Sequence, residues 1–117
     1  MNDEPSAQEL ASAIEQLAIA GAALLSHATH AETKTKLLIE RLASATLKLQ
    51  THFSQMNADE LELPSGRHDL RNRLNHVGGP AQLLQRVSPQ PDDACRALLV
   101  EIQNLVDENA GIIDGYG

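Results

Sequence analysis

The sequence predicts an all-α fold, a four-helix bundle, on three observations. The apolar residues are almost all aliphatic, they recur in steps of three and four over long proline-free stretches, and the breaks between those stretches are short. Phe53 and Tyr116 are the only aromatics among 117 residues, so a core has to be built from Leu, Ile, Val and Ala, the residues that fill helix-bundle seams. The length suits one domain.

From Ser6 to Met56 there is no proline, and apolar or small residues recur at Leu10, Ile14, Leu17, Gly21, Leu24, Ala28, Ala31, Thr35, Leu38, Leu42, Ala45, Leu49, His52 and Met56. This is a coiled-coil seam. Its middle, Gly21 to Thr35, buries little area, so "SHATHAET" reads either as continuous helix or as the turn of an antiparallel hairpin. Residues 1–56 therefore form an N-terminal helical or coiled-coil segment. Residues 57–66, "NADELELPSG", lose the period and end in Pro-Ser-Gly, which reads as a connection.

Ser65 reads as the N-cap of a helix from about Gly66 to Val87, with a seam of Leu70, Leu74, Val77, Ala81 and Leu84. "SPQPDD" makes a second break, with Asp92 or Asp93 as cap. The last helix runs from about Asp93 to Ile113, its seam Leu98, Ile102, Leu105, Asn109 and Ile112. Asn109 is either a buried polar residue of the kind that fixes register in coiled coils or a partly exposed one. No helix buries its stripe alone, so four helices have to associate, either from one chain or from dimerised hairpins. The N-terminal heptads exceed what a single short bundle needs, which favours a homodimer.

The net charge of −7 and the scatter of the nine basic residues, apart from Arg67, Arg71 and Arg73, exclude the electrostatic footprint of a nucleic-acid binder. Cys95 is the only cysteine, so no internal disulfide forms, in keeping with a reducing compartment. The longest charge-free stretch, Leu17 to Ala31, is too short to span a bilayer, and "MNDEPSAQE" is acidic where a signal peptide is basic. The expectation is a soluble, cytoplasmic protein without membrane or nucleic-acid partners.

Chemistry concentrates in "RHDLRNRLNHVGGPAQLL", residues 67–84. With Leu70, Leu74 and Val77 inward, His68, Asn72, Asn75 and Gly79 fall on an outward stripe. An exposed imidazole, with an ordinary pKa of about 6.5, is a nucleophile at neutral pH. Asp69 can hold one ring nitrogen, Asn72 can position a water or phosphoryl oxygen, and Arg67, Arg71 and Arg73 supply charge for a phosphate. Read without a family, the same residues also describe a solvated helix face with a chance His-Asp pair.

The stretch resembles the H-box of the dimerisation and histidine-phosphotransfer domain of sensor histidine kinases, whose pattern is His-Glu/Asp-Leu-Arg-Asn/Thr-Pro-Leu followed by a glycine and a Leu-Leu pair. His68, Asp69, Leu70, Arg71, Asn72, Leu74, Gly79, Leu83 and Leu84 fall in register over about 20 residues, or about 50 if "ACRALLVEIQNLVDENAGII" is the family's second helix. Residues 67–114 are then an H-box hairpin. The resemblance implies His68 as phosphoacceptor, Asp69 as the activating acid, Asn72 as the residue aligning water in dephosphorylation, and Gly79 with the outward face as the seat of a response-regulator receiver domain.

Three departures qualify it. The family's proline is Arg73 here, with Pro80 as an alternative kink; no Asp-x-Gly-x-Gly or other ATP-binding loop occurs; and Pro64-Ser65-Gly66 starts the helix just before His68. The chain as it stands is not a complete kinase. The leading expectation is a phosphorelay module that accepts or relays phosphate on His68, or docks a receiver there. Phosphate then comes from a receiver or a separate kinase, Mg²⁺ is held at the receiver, and this chain binds no cofactor. The alternative is a phosphorylation-independent dimerisation or partner-binding bundle. A third pattern, the stand-alone phosphotransfer motif His-x-Leu-Lys-Gly, is matched by His68, Leu70 and Arg71 but not by Asn72.

Elsewhere, His27, His30 and Glu32 lack a further ligand at suitable spacing and read as polar residues near a turn. His52 reads as a half-buried packing residue, His76 as a surface histidine and Cys95 as a small packing residue.

Overall fold

The computed structural model describes residues 7–28, 32–86 and 93–115, and no strand occurs among them. The helices are α1 (Ala7–Leu25), α2 (Thr33–Ser54), α3 (Ala58–Glu62), α4 (Pro64–Arg86) and α5 (Asp93–Asp114). The four long ones pack in a ring, α1 on α2, α2 on α4, α4 on α5, and α5 back on α1. Arg71 faces Asp114, and the Gln85 amide donates to the Leu99 carbonyl at 3.3 Å, so α4 and α5 run antiparallel. The result is a rod of 46 × 25 × 19 Å with all four bundle helices supplied by one chain.

Of the two readings of the N-terminal segment, the hairpin is the one observed. Helix α1 ends in a turn in which the Ser26 and His27 amides donate to the Ala23 and Leu24 carbonyls. Small residues in the middle of the heptads therefore mark a reversal, and the heptads that looked surplus are consumed within the chain. This removes the sequence argument for a dimer. Ala31 and His30 lie outside the described residues.

The seams are wider than two positions per heptad. Ala13, Ala18 and Ala20 join Leu10, Ile14, Leu17 and Leu24 inside, as a bundle helix with two neighbours requires. For the same reason Ile39 and Leu99 are buried while Leu38 and Leu98, placed in the seam by the heptad count, are half-buried. The α4 seam is as expected, with Leu70, Leu74, Val77 and Ala81 fully buried and Leu84 nearly so. At the α1–α2 crossing, a Cβ on Gly21 would lie 2.6 Å from Thr46 Oγ1, so only glycine permits that approach.

The connection contains an unanticipated element. Asn57 caps α3 by accepting from the Glu60 amide at 3.0 Å, while the Glu60 carboxylate accepts from the Asn57 amide at 3.5 Å. This reciprocal capping box was present in the sequence as Asn57-x-x-Glu60. Leu61 of α3 joins the core. Leu63 then turns extended, with φ −86° and ψ 136°, and its carbonyl accepts from the Arg67 amide. Leu63 is thus the N-cap of α4 and Pro64 its first helical residue, a position where proline loses no bond. Ser65 stands inside the helix and is not the cap.

Pro80 is buried within α4, which runs on to Arg86. Its ring removes the hydrogen bond that the His76 carbonyl would otherwise accept. Gly79 before it spares the clash that a Cβ makes with a following proline ring. Asp93 opens α5, and Asp92 and Val87 lie outside the described residues. No helix among the described residues is long and apolar enough to cross a membrane.

Candidate functional site on the outer face of helix α4

The inward set Leu70, Leu74, Val77 and Ala81 fixes the rotation of α4, and the opposite face carries His68, Asn72, Asn75 and Gly79, all exposed. The stripe is therefore a real surface. A Cβ on Gly79 would meet nothing beyond its own chain neighbours within 4 Å, so an approaching body finds flat backbone there.

His68 is the fifth residue of α4, counting from Pro64. It stands one turn inside the helix, beyond the free amides of the first turn that a helix starting at Gly66 would have set beside it. Its Nε2 lies 3.5 Å from Asn72 Nδ2, the contact expected of residues four apart on one helix face. An amide N–H donates, so this pairing leaves Nε2 as acceptor and the ring proton on Nδ1. A separation of 3.5 Å is at the long limit of a hydrogen bond, and the imidazole gives it up readily.

Asp69 is exposed, points off the stripe by one residue's rotation, and makes no hydrogen bond with His68 among the described residues. Asn72, not Asp69, is the group that meets the ring.

The three arginines do not converge. Arg67 is half-buried and its Nη1 donates to the Leu61 carbonyl at 3.1 Å and the Glu62 carbonyl at 2.8 Å, closing the C-terminal end of α3 onto α4. Arg71 turns toward α5, where its Nε lies 3.7 Å from Asp114 Oδ1. Arg73 turns the other way, into the groove between α2 and α4. Arg73 stands two residues beyond Arg71 and so points to another side of the helix. Arg67 and Arg71, four apart, start from one face but reach to different partners, the α3 carbonyls and Asp114.

Of the other residues weighed, His52 is half-buried, Cys95 is buried, and His76 is exposed beside the α2–α4 groove. Asn109 is fully buried, which decides between its two readings. Among the described residues no three His, Cys, Asp or Glu side chains are grouped to hold a metal.

Comparison with protein-family models, with curated proteins and with solved structures finds no match to this chain. The H-box resemblance accordingly rests on residues 67–84 themselves.

Proposed function

We propose that the protein is a phosphorelay module in which His68 accepts a phosphoryl group from, or returns it to, a receiver domain seated on the outer face of α4. What supports this reading above all is the placement of His68: an exposed imidazole with its Nε2 directed along the stripe to Asn72, on a face that its own bundle leaves uncovered.

In such a transfer the Nε2 lone pair attacks the phosphorus of a receiver acyl phosphate in line. The N–P bond forms, the P–O bond to the receiver aspartate breaks, and the aspartate leaves as carboxylate. The ring, now bonded at both nitrogens, is a phosphoimidazolium, and releasing its Nδ1 proton to solvent gives the phosphoimidazole. Mg²⁺ belongs to the receiver. Asn72, released from Nε2, donates to a phosphoryl oxygen, and positioning supplies most of the rate. A bundle closed within one chain also suits a relay that needs no second protomer.

The test is mass spectrometry of the His68 peptide, with acid lability as control, after incubation with a phosphorylated receiver or with acetyl phosphate and Mg²⁺. Acid-labile phosphate present in the native protein and absent in His68→Gln is the expected result. No modification under conditions that charge a known phosphotransfer protein refutes the reading.

A second reading is favoured by the divergence of Arg67, Arg71 and Arg73, which leaves no arginine cradle at His68. In it the bundle binds partners without carrying phosphate. Homodimerisation would then have to use an outer face, because one chain fills the seams by itself.

A further inference from the structure

Helices α2 and α4 leave between them a groove of about 510 Å³, the size of a small-molecule site. Its walls are apolar at Leu38, Pro80 and Leu83, and its rim carries Arg41 and Lys48 from α2 and Arg73 from α4. No aspartate or glutamate lines it, although the chain as a whole carries a charge of −7. None of the three cations makes an ion pair or a side-chain hydrogen bond among the described residues. Leu83, about half exposed, and the half-buried Leu38 remain open to solvent at its mouth.

Cations set on facing helices without a carboxylate between them repel, so this arrangement contributes nothing to holding α2 against α4. It has the composition of a receptor: apolar walls to take a body, and positive charge along the rim to take a head. A second copy related by a two-fold axis would set these cations against themselves, and a nucleic acid would meet the negative field of the rest of the chain.

We infer that the α2–α4 groove is a binding site for a small amphipathic anion, a molecule with one carboxylate, sulfonate or phosphate head held by Arg41, Lys48 and Arg73 and an apolar body lying on Leu38, Pro80 and Leu83. The inference is independent of phosphate chemistry at His68. The groove runs beside the docking stripe, sharing Asn75 and Gly79 with it, so an occupant sits on the flank of any partner seated there.

The experiment titrates the full chain with 8-anilinonaphthalene-1-sulfonate, which has an apolar body and one anionic head, and in parallel with the neutral N-phenyl-1-naphthylamine. Dodecanoate serves as competitor. Saturable one-site binding of the sulfonate, displaced by dodecanoate and stronger than that of the neutral dye, is expected. In Arg41→Glu/Lys48→Glu, both on exposed positions, affinity falls by roughly tenfold or more, the loss of one or two charge-assisted contacts. In Lys34→Glu/Arg96→Glu, which changes net charge equally but away from the groove, it is unchanged. A cooperative thermal transition in every variant separates groove binding from dye uptake by a loosened core. Binding that is non-saturable, equal for the neutral dye, untouched by the groove reversal, or equally weakened by the distant one overturns the assignment.

Discussion

Asn109 of α5 donates through Nδ2 to the main-chain carbonyl of Ala13 in α1 at 3.3 Å, joining the last helix to the first across 96 positions of sequence. The same amide also donates to the Leu105 carbonyl at 2.8 Å, while Oδ1 is buried with no partner among the described residues. Among the described residues this is the one fully buried polar side chain with a contact that closes the ring, and it selects a single register of α5 on α1. Asn109→Asp replaces the donor with a carboxyl group in the core. Burial raises the folded-state pKa of that carboxyl above its unfolded value of about 3.9, so the penalty is absent below the unfolded value and grows as pH rises through the folded one. Urea denaturation should find the variant less stable than the native protein by about 3 kcal/mol or more at pH 7, with the gap narrowing on acidification. A gap that does not change with pH would show that position 109 is solvated.

Two glycines of the long helices should respond oppositely to alanine. A Cβ on Gly66 would collide with the main-chain carbonyl of Glu60, and that backbone is held by the α3 capping box and cannot move aside freely. Gly66→Ala should destabilise by about 1–3 kcal/mol. Gly111 on α5 is exposed with nothing near it, so Gly111→Ala should raise stability by up to about 1 kcal/mol through helix propensity alone. Thermal melts of the two variants, with opposite signs expected, check both.

Arg67, just before the H-box pattern, and Arg71, within it, have different work. Arg67→Ala removes the two bonds to the Leu61 and Glu62 carbonyls and should cost about 1–2 kcal/mol, with faster proteolysis in the 57–63 connection. Arg71→Ala loses only an open pair with Asp114 and should change stability by less than about 0.5 kcal/mol. Equal losses for the two would mean that the α3 junction is not held by Arg67.

Docking and chemistry separate at Asn75, which is exposed on the stripe at a distance from the imidazole. Asn75→Arg should slow transfer from a phosphorylated receiver by tenfold or more through steric obstruction, yet leave charging of His68 by acetyl phosphate unchanged, because a small donor needs no docking face. Unaltered transfer from the receiver would move the docking surface off this stripe.

Much of this arrangement was legible in the residues. The α4 seam and the outward stripe follow from spacing, since a helix rotates its side chains in a fixed way and Leu70, Leu74, Val77, Ala81 and Leu84 leave one burial solution. The break at 57–66 was legible as a break, though not as α3, whose Asn57-x-x-Glu60 box is a short local signal in a stretch without period. The start of α4 was misplaced because serine is a stronger cap signal than leucine, whereas the turn out of α3 and the ring of Pro64 together decide where the helix begins.

The site was legible only as a set of residue types. His68, Asp69 and Asn72 lie together in the sequence, but which of the two neighbours meets the ring depends on a rotation of one residue, and the rotation favours Asn72. The three arginines read as one cluster because they lie within seven positions; their partners, the α3 carbonyls, Asp114 and the α2 groove, come from three different directions that no local pattern encodes.

By itself the sequence determined the class of fold, the inward face of α4 and the exposure of the His68 stripe, because periodic burial is a property of one helix at a time. The second neighbour of each bundle helix turned Ile39 and Leu99 inward beside the seams of α2 and α5. Tertiary structure decided the rest: that the chain turns after α1 so that α1 packs on α2, that four helices close from one polypeptide, that Asn109 is sealed against Ala13, and that Arg41, Lys48 and Arg73 share a groove. Each of these is a relation between residues distant in the chain, and the packing of one helix stripe against another supplies the free energy that selects it.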